Sequence, residues 1–186
     1  MPALLQMIHE LAAYERAPDA VEATAEQLTD ALFGHPATAH CHLGTLGGEV
    51  AGFALWFVNF STWTGRPGMY LEDLFVRPSA RGLGLGRALM ATLAATAVER
   101  GYGRLDWAVL GWNTPAIGFY RALGARPLDE WVGYRLAGDA LLALAAAGGP
   151  GGGPPASSRP GEQVASKSRP GRSAGPDGTR ARSQEG

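Results

Sequence analysis

From Val76 to Leu89 the chain reads Val-Arg-Pro-Ser-Ala-Arg-Gly-Leu-Gly-Leu-Gly-Arg-Ala-Leu: an apolar run stops at Pro78, Arg81 introduces three alternate glycines, and helix-forming residues follow. Glycines let backbone N–H groups turn inward with no Cβ in the way, and a helix N-terminus adds unsatisfied donors and a favourable dipole. The chemistry of such a loop is the grip of an anion, and a pyrophosphate fits it. A second candidate is Glu72, a carboxylate between Leu71 and Leu74 in an otherwise apolar strand. An unpaired charge there is costly unless it meets a cation, or else it points to solvent from an antiparallel strand and does nothing. A third is His40-Cys41-His42, which has metal-ligating side chains. In a strand the two histidines face one way and the cysteine the other, which splits the set across the sheet, and no metal is expected.

Spacing narrows the ligand of the loop. A dinucleotide fingerprint needs its third glycine one residue later than Gly86 and an acidic residue about 20 positions on, and position 106 falls inside another strand. A nucleoside-triphosphate loop needs Gly-Lys-Ser/Thr, where this chain has Gly86-Arg87-Ala88. A glycine-rich turn without a ligand is the remaining alternative.

The elements that must position these residues follow from periodicity. Leu4, Leu5, Ile8, Leu11 and Ala12 lie at helical spacing over residues 3–16, and Pro18 ends that run. A second helix spans 24–33, with Thr24 as its cap and Gln27 three positions on. The period then changes. Residues 40–46, 50–60 and 69–76 are rich in β-branched and aromatic side chains, with Gly47-Gly48 as a hairpin signal, and three antiparallel strands are expected. The glycine loop launches a helix over about 84–100, stopped by Gly101, and 104–109 reads as a strand. Thr114-Pro115 reads as a cap followed by proline at the first helical position, with Gly124 as the stop, and a last strand is expected near 131–137. This order describes an α+β domain over residues 1–147, a mixed and mostly antiparallel sheet flanked by helices.

Residues 148–186 differ in kind. Ten Gly, six Pro and six Ser leave no aromatic, Leu or Ile there, so the segment cannot bury enough apolar surface to offset its ordering entropy and is expected to be a disordered tail. It carries a net +3 against −4 for residues 1–147. Scattered arginines in a Gly/Pro coil read as a solubilising linker, and no nucleic-acid partner is expected. The single cysteine, Cys41, rules out an internal disulfide and fits a reducing compartment. With no long apolar run and no signal-peptide pattern, a cytoplasmic protein with no membrane partner is expected.

Several separated motifs resemble one family. Arg81-x-x-Gly84-x-Gly86, opening a long helix after Leu71-Glu72-Asp73-Leu74-Phe75-Val76, is similar to the acetyl-CoA loop of the GNAT superfamily of N-acetyltransferases. The match narrows at Glu10-Leu11-Ala12-Ala13-Tyr14-Glu15, Phe33-Gly34-x-Pro36 before Cys41, Ser61-Thr62-Trp63-Thr64-Gly65-Arg66, and Trp112-Asn113-x-Pro115-x-Ile117-x-Phe119-Tyr120. Over residues 3–137 these resemble the diamine acetyltransferases, among them the spermidine/spermine and thialysine enzymes. The family opens with a strand before its first helix, and here Met1 leads directly into the helix, so a start upstream of Met1 is expected.

The resemblance implies transfer of an acetyl group from acetyl-CoA to a small primary amine, by a homodimer. An alkyl amine is protonated at pH 7 and must lose a proton before it attacks a thioester. In the resembling enzymes the glutamate at the place of Glu72 holds the amine and assists its deprotonation, and the tyrosine at the place of Tyr120 supplies a proton to the departing thiolate. The same resemblance assigns Leu74, Phe75, Val76, Arg81, Gly82, Leu83, Gly84, Leu85, Gly86, Arg87, Asn113, Thr114, Pro115 and Ala116 to the cofactor. It assigns Tyr14, Glu15, Glu72, Asp106, Trp107 and Ala108 to the amine. Asp73, opposite Glu72 by alternation, reads as structural or as a supporting charge behind the site. Direct transfer is expected, since the one cysteine lies in a distant strand.

The acceptor stays open. Six acidic residues in the first 34, Glu10, Glu15, Asp19, Glu22, Glu26 and Asp30, face Arg16 alone and attract a cation, although an acidic helix face is also the ordinary solvated face. The polyamine enzymes carry a glutamate where this chain has Val132 before Gly133-Tyr134, which points to shorter diamines or thialysine-like amino acids. Two other functions compete: an acetyl-CoA-binding sensor or remnant without turnover, and a protein or peptide N-acetyltransferase. Bulky Trp56, Phe57, Phe60 and Trp63, expected near the acceptor, favour a small enclosed amine over a peptide.

Overall fold

The computed structural model describes residues 1–148, and the expected disordered tail falls outside them from position 149 on. The described residues divide into two units, Met1–Pro127 and a second that begins at Leu128.

The first unit runs α1 (Pro2–Tyr14), a 3₁₀ turn (Pro18–Ala20), α2 (Ala25–Phe33), β1 (His40–Leu46), β2 (Glu49–Ser61), β3 (Arg66–Val76), a 3₁₀ turn (Pro78–Ala80), α3 (Leu85–Glu99), β4 (Leu105–Trp107) and α4 (Thr114–Ala122). Local chemistry sets several of these boundaries. At α2 the Gln27 N–H donates to Thr24 Oγ1 (3.2 Å) while the Thr24 N–H donates to Gln27 Oε1 (2.9 Å), the reciprocal cap that its spacing predicts. Gly47 and Gly48 both have positive φ, +60° and +88°, which matches the right-handed twist of the β1–β2 hairpin.

The sheet order is β1-β2-β3-β4, with the first three strands antiparallel and β4 parallel to β3. On one face Ala54, Trp56, Met69 and Leu71 pack against Leu89, Met90, Leu93 and Ala97 of α3. On the other, Phe53 and Phe75 pack against Leu4 and Met7 of α1. Each large side chain so buried contributes about 1.5–3 kcal/mol of transfer free energy, so α1 and α3 are held to the sheet chiefly by these contacts. His40 and His42 both stack on Trp56 (ring centroids 4.3 and 6.3 Å), while Cys41 packs with the α1-side core, as strand alternation requires.

One irregularity bears directly on function. Leu55 pairs with Asp73 but Trp56 pairs with Leu71, so Glu72 is an extra residue, a β-bulge in β3. The bulge resets the alternation: Leu71 and Leu74 both pack toward α3 although three positions apart.

In the second unit the described residues comprise a stretch without regular structure and helix α5 (Gly138–Ala147). The strand expected near 131–137 is absent among the described residues. A strand exists through its ladder partner, and the apolar pattern of these residues does not supply one. The Leu/Ala run after Asp139 forms the helix instead, as high helix propensity favours.

Candidate active site

β3 and β4 pair only over Met69–Leu71 and Leu105–Trp107. Beyond that short ladder the two strands border a cavity of about 560 Å³. Its β3 wall is Leu71, Glu72, Asp73, Leu74, Phe75 and Val76, and its opposite wall is Trp107, Ala108, Val109, Asn113, Pro115, Ala116, Phe119 and Tyr120. Leu11, Tyr14 and Glu15 of α1 border it as well, and the glycine loop contributes Ala80, Arg81, Gly82, Gly84, Leu85, Gly86 and Arg87. Residues expected to share a site from well-separated parts of the chain therefore do meet. Among the expected residues, Leu83, Thr114 and Asp106 do not line the cavity. Leu83 is an exposed side chain, Thr114 is the first residue of α4, and the Asp106 carboxylate is held by Arg104 Nε (2.6 Å) and Asn59 Nδ2 (3.1 Å).

In the loop Gly82 and Gly84 have φ of +77° and +85°, a region that side chains with a Cβ rarely adopt. A Cβ at either would touch nothing within 4 Å, so conformation and not crowding calls for glycine, and the loop surface stays open. Gly86 differs: its φ is ordinary and a Cβ would rest at 3.6 Å from Phe119. Arg81 donates from Nε to the Val76 carbonyl (2.9 Å) and lays its guanidinium over the Tyr14 ring at 4.7 Å. Arg77, beyond the end of β3, pairs through Nε and Nη2 with both carboxylate oxygens of Glu10 at 3.0 and 3.1 Å, which ties α1 to this end of the sheet.

Glu15, Glu72 and Asp73 all border the cavity. Burial pushes the Asp73 carboxyl up to about 6, with further rises from Glu72 and then Glu15. Burial also raises Glu15 above the usual carboxylate value. Strand alternation sets Asp73 on the face opposite Glu72, and the bulge at Glu72 changes that placement: with one residue extra in β3, both consecutive carboxylates border the same cavity. Two adjacent acids in an otherwise apolar strand were the signal available. Tyr120, against Trp107 at 4.9 Å and Phe119 at 5.3 Å, is pushed up to about 12 by burial and then by Glu15.

Two further expectations need correction. The cap of α4 is Asn113, not Thr114: Asn113 Oδ1 accepts the Ala116 N–H (3.3 Å), which moves the helix start one residue and Pro115 to its second position. Trp56, Phe57, Phe60 and Trp63 do not line the cavity. Trp56 is buried under α3, Phe57 packs on Tyr70, and Phe60 and Trp63 are exposed, so they give no evidence of an enclosed acceptor.

An acidic cavity beside a short β3–β4 ladder and a glycine loop fits more than one activity, and likeness to known proteins decides among them. Residues 4–125 match the Acetyltransferase (GNAT) family model. The chain is 37% identical over 153 residues to a thialysine N-epsilon-acetyltransferase of Sus scrofa, covering 76% of this chain and 89% of that protein. It is 44% identical over 95 residues to an L-ornithine N5-acetyltransferase of Arabidopsis thaliana, covering 51% and 42%. An integron cassette protein from the mobile metagenome of V. cholerae superposes with a TM-score of 0.65 at 33% identity, covering 76% of this chain and 89% of that one. The chain belongs to the GNAT acetyltransferase family and is an enzyme. No helix among its described residues is long and apolar enough to cross a membrane.

Proposed function

We propose that this protein transfers the acetyl group of acetyl-CoA to a small cationic primary amine, of the diamine or thialysine-like amino-acid type. The observation that carries the reading is the convergence of Glu15, Glu72 and Asp73 with Tyr120 in one cavity that the glycine loop, with Arg81 and Arg87, also lines. Three carboxylates at one site repel one another, and a cationic ligand relieves that repulsion. The names of the relatives, which act on thialysine and ornithine, support the same acceptor class.

The residues present fit acetyl-CoA. The open backbone of Gly82 and Gly84 and the first turn of α3 would hold its pyrophosphate with Arg81 and Arg87, and Leu74–Val76 and Asn113–Ala116 would flank its pantetheine arm. Acetyl-CoA supplies the acetyl thioester. On the protein side, Asp73 and Glu15 draw in the ammonium group, and Glu72 takes its proton directly or through a water so that the neutral nitrogen can attack. Tyr120 keeps its own proton at physiological pH, because burial holds the phenol at about 12, and presents Oη–H to the sulfur as negative charge builds there. The Cys41 thiol, packed with the α1-side core, takes no part. The resemblance further carries the inference of a homodimer, and the composition that of a cytoplasmic protein with neither a membrane nor a nucleic-acid partner.

The test is free-thiol release from acetyl-CoA with a panel of primary amines. Glu72→Gln is expected to lower turnover by about 10²- to 10⁴-fold, the range of general-base catalysis. Tyr120→Phe, which removes one hydrogen bond to a developing charge, is expected to lower it about 10- to 150-fold. Full turnover in both variants overturns these roles, and coenzyme A binding without turnover on any amine overturns the reaction in favour of a sensor.

A further inference from the structure

α1 ends beside the start of α4, 99 residues later in the chain, and the contacts there are specific. Tyr14, the last residue of α1, donates from its hydroxyl to Asn113 Oδ1 at 3.0 Å. Asn113 is 7% exposed, and the same oxygen accepts the Ala116 N–H that caps α4. Trp112 takes the Tyr14 ring at 6.0 Å and the Arg16 guanidinium at 4.6 Å. Arg16 reaches it from a left-handed backbone conformation (φ +66°), the only such non-glycine residue among those described. Over the Tyr14 ring lies Arg81, the residue that opens the glycine loop, at 4.7 Å. One side chain thus touches the loop through its ring and the cap of the helix that carries Tyr120 through its hydroxyl.

From this geometry we propose that Tyr14 is a positioning residue: its hydroxyl, through Asn113, fixes the start of α4, and so sets both the cavity wall at Asn113–Ala116 and the placement of Tyr120. The proposal rests on the acetyl-transfer reading above. It differs from direct contact between Tyr14 and the amine, because a residue acting through Asn113 affects the cofactor wall whether or not an amine is present.

Tyr14→Phe isolates the effect, since it keeps the ring that Arg81 and Trp112 contact and removes only the hydroxyl. Asn113 Oδ1 still holds the Ala116 N–H, so no buried acceptor is left alone. Loss of one neutral hydrogen bond corresponds to roughly 2- to 12-fold. The experiment measures coenzyme A affinity by calorimetry with no amine present, together with kcat and KM for several amines. The expected result is coenzyme A binding weaker by that factor, a similar fall in kcat for every amine, and an unchanged amine KM. In an Asn113→Ala background Tyr14→Phe is expected to add nothing; if that background does not fold, Asn113→Ser, which retains a capping oxygen on a shorter side chain, replaces it. Unchanged coenzyme A affinity with a rise in amine KM alone overturns the proposal, as does full additivity with the Asn113 variant. Wild-type protein that binds no coenzyme A overturns the acetyl-transfer reading itself, whereas normal binding that is indifferent to Tyr14→Phe overturns only the positioning role.

Discussion

Replacing Asp73 by asparagine is expected to stabilise the protein while impairing it, and the size of the stabilisation follows from the cavity. Burial, Glu72 and Glu15 raise the carboxyl from an ordinary 3.8 to about 6. The folded state therefore binds this proton more tightly than the unfolded chain, and stability falls as pH rises from near 4 to near 6. Above that window the whole difference acts against folding, about 3 kcal/mol at 1.36 kcal/mol per unit; at pH 4 linkage leaves about 0.5 kcal/mol. The amide side chain would resemble the neutral acid at every pH. Asp73→Asn should thus raise the thermal midpoint at pH 8 by roughly 6–12 °C, at about 2–4 °C per kcal/mol for a chain of this size, and hardly at all at pH 4. Thermal unfolding of both proteins by circular dichroism at the two pH values tests this. An equal shift at both values, or a less stable variant at pH 8, refutes the claim that a strained ionised carboxylate sits in the cavity. Amine turnover by Asp73→Asn should fall at the same time, since strain held at an acidic site is what a cationic ligand relieves.

The glycine loop predicts a contrast between near neighbours: Gly84→Ala, at positive φ, should cost about 1–2 kcal/mol and weaken coenzyme A binding, whereas Gly86→Ala, whose Cβ meets ordinary contacts, should change the thermal midpoint little. Denaturant melts with coenzyme A titrations distinguish the two, and equal losses would contradict the assignment. Cys41 should resist iodoacetamide in the folded protein, because burial and then Asp73 push its thiol up to about 11 and only the thiolate reacts. Rapid alkylation at pH 7.5 would contradict the raised thiol, and turnover lost on alkylation of the folded protein would count against direct transfer.

What was legible in the sequence was mostly local. The Thr24–Gln27 cap, the Gly47-Gly48 turn and the loop that opens α3 depend on residues within a few positions of one another, and each forms where its pattern falls. Most residues expected to share a site line one cavity, because their motifs sit at element ends that a sheet of this order brings together. The failures share a cause as well. The bulge at Glu72 is set by the register between β2 and β3, so alternation within β3 alone placed Asp73 on the wrong side. Trp56 has the right composition for an acceptor pocket, but the partner face of α3 takes it into the core. Residues 131–137 have the apolar and aromatic content of a strand but no ladder. The Asn113 cap was hidden by the stronger Thr-Pro signal beside it, and its tie to Tyr14 spans 99 residues.

The most direct test of the central claim is to incubate the wild-type protein with acetyl-CoA and cationic primary amines, and to quantify free thiol and acetylated product together. The account predicts one thiol released per amine acetylated, with diamines and thialysine-like amino acids turned over faster than neutral or anionic amines. Coenzyme A held in the cleft with no amine acetylated, or a preference for anionic acceptors, would contradict it.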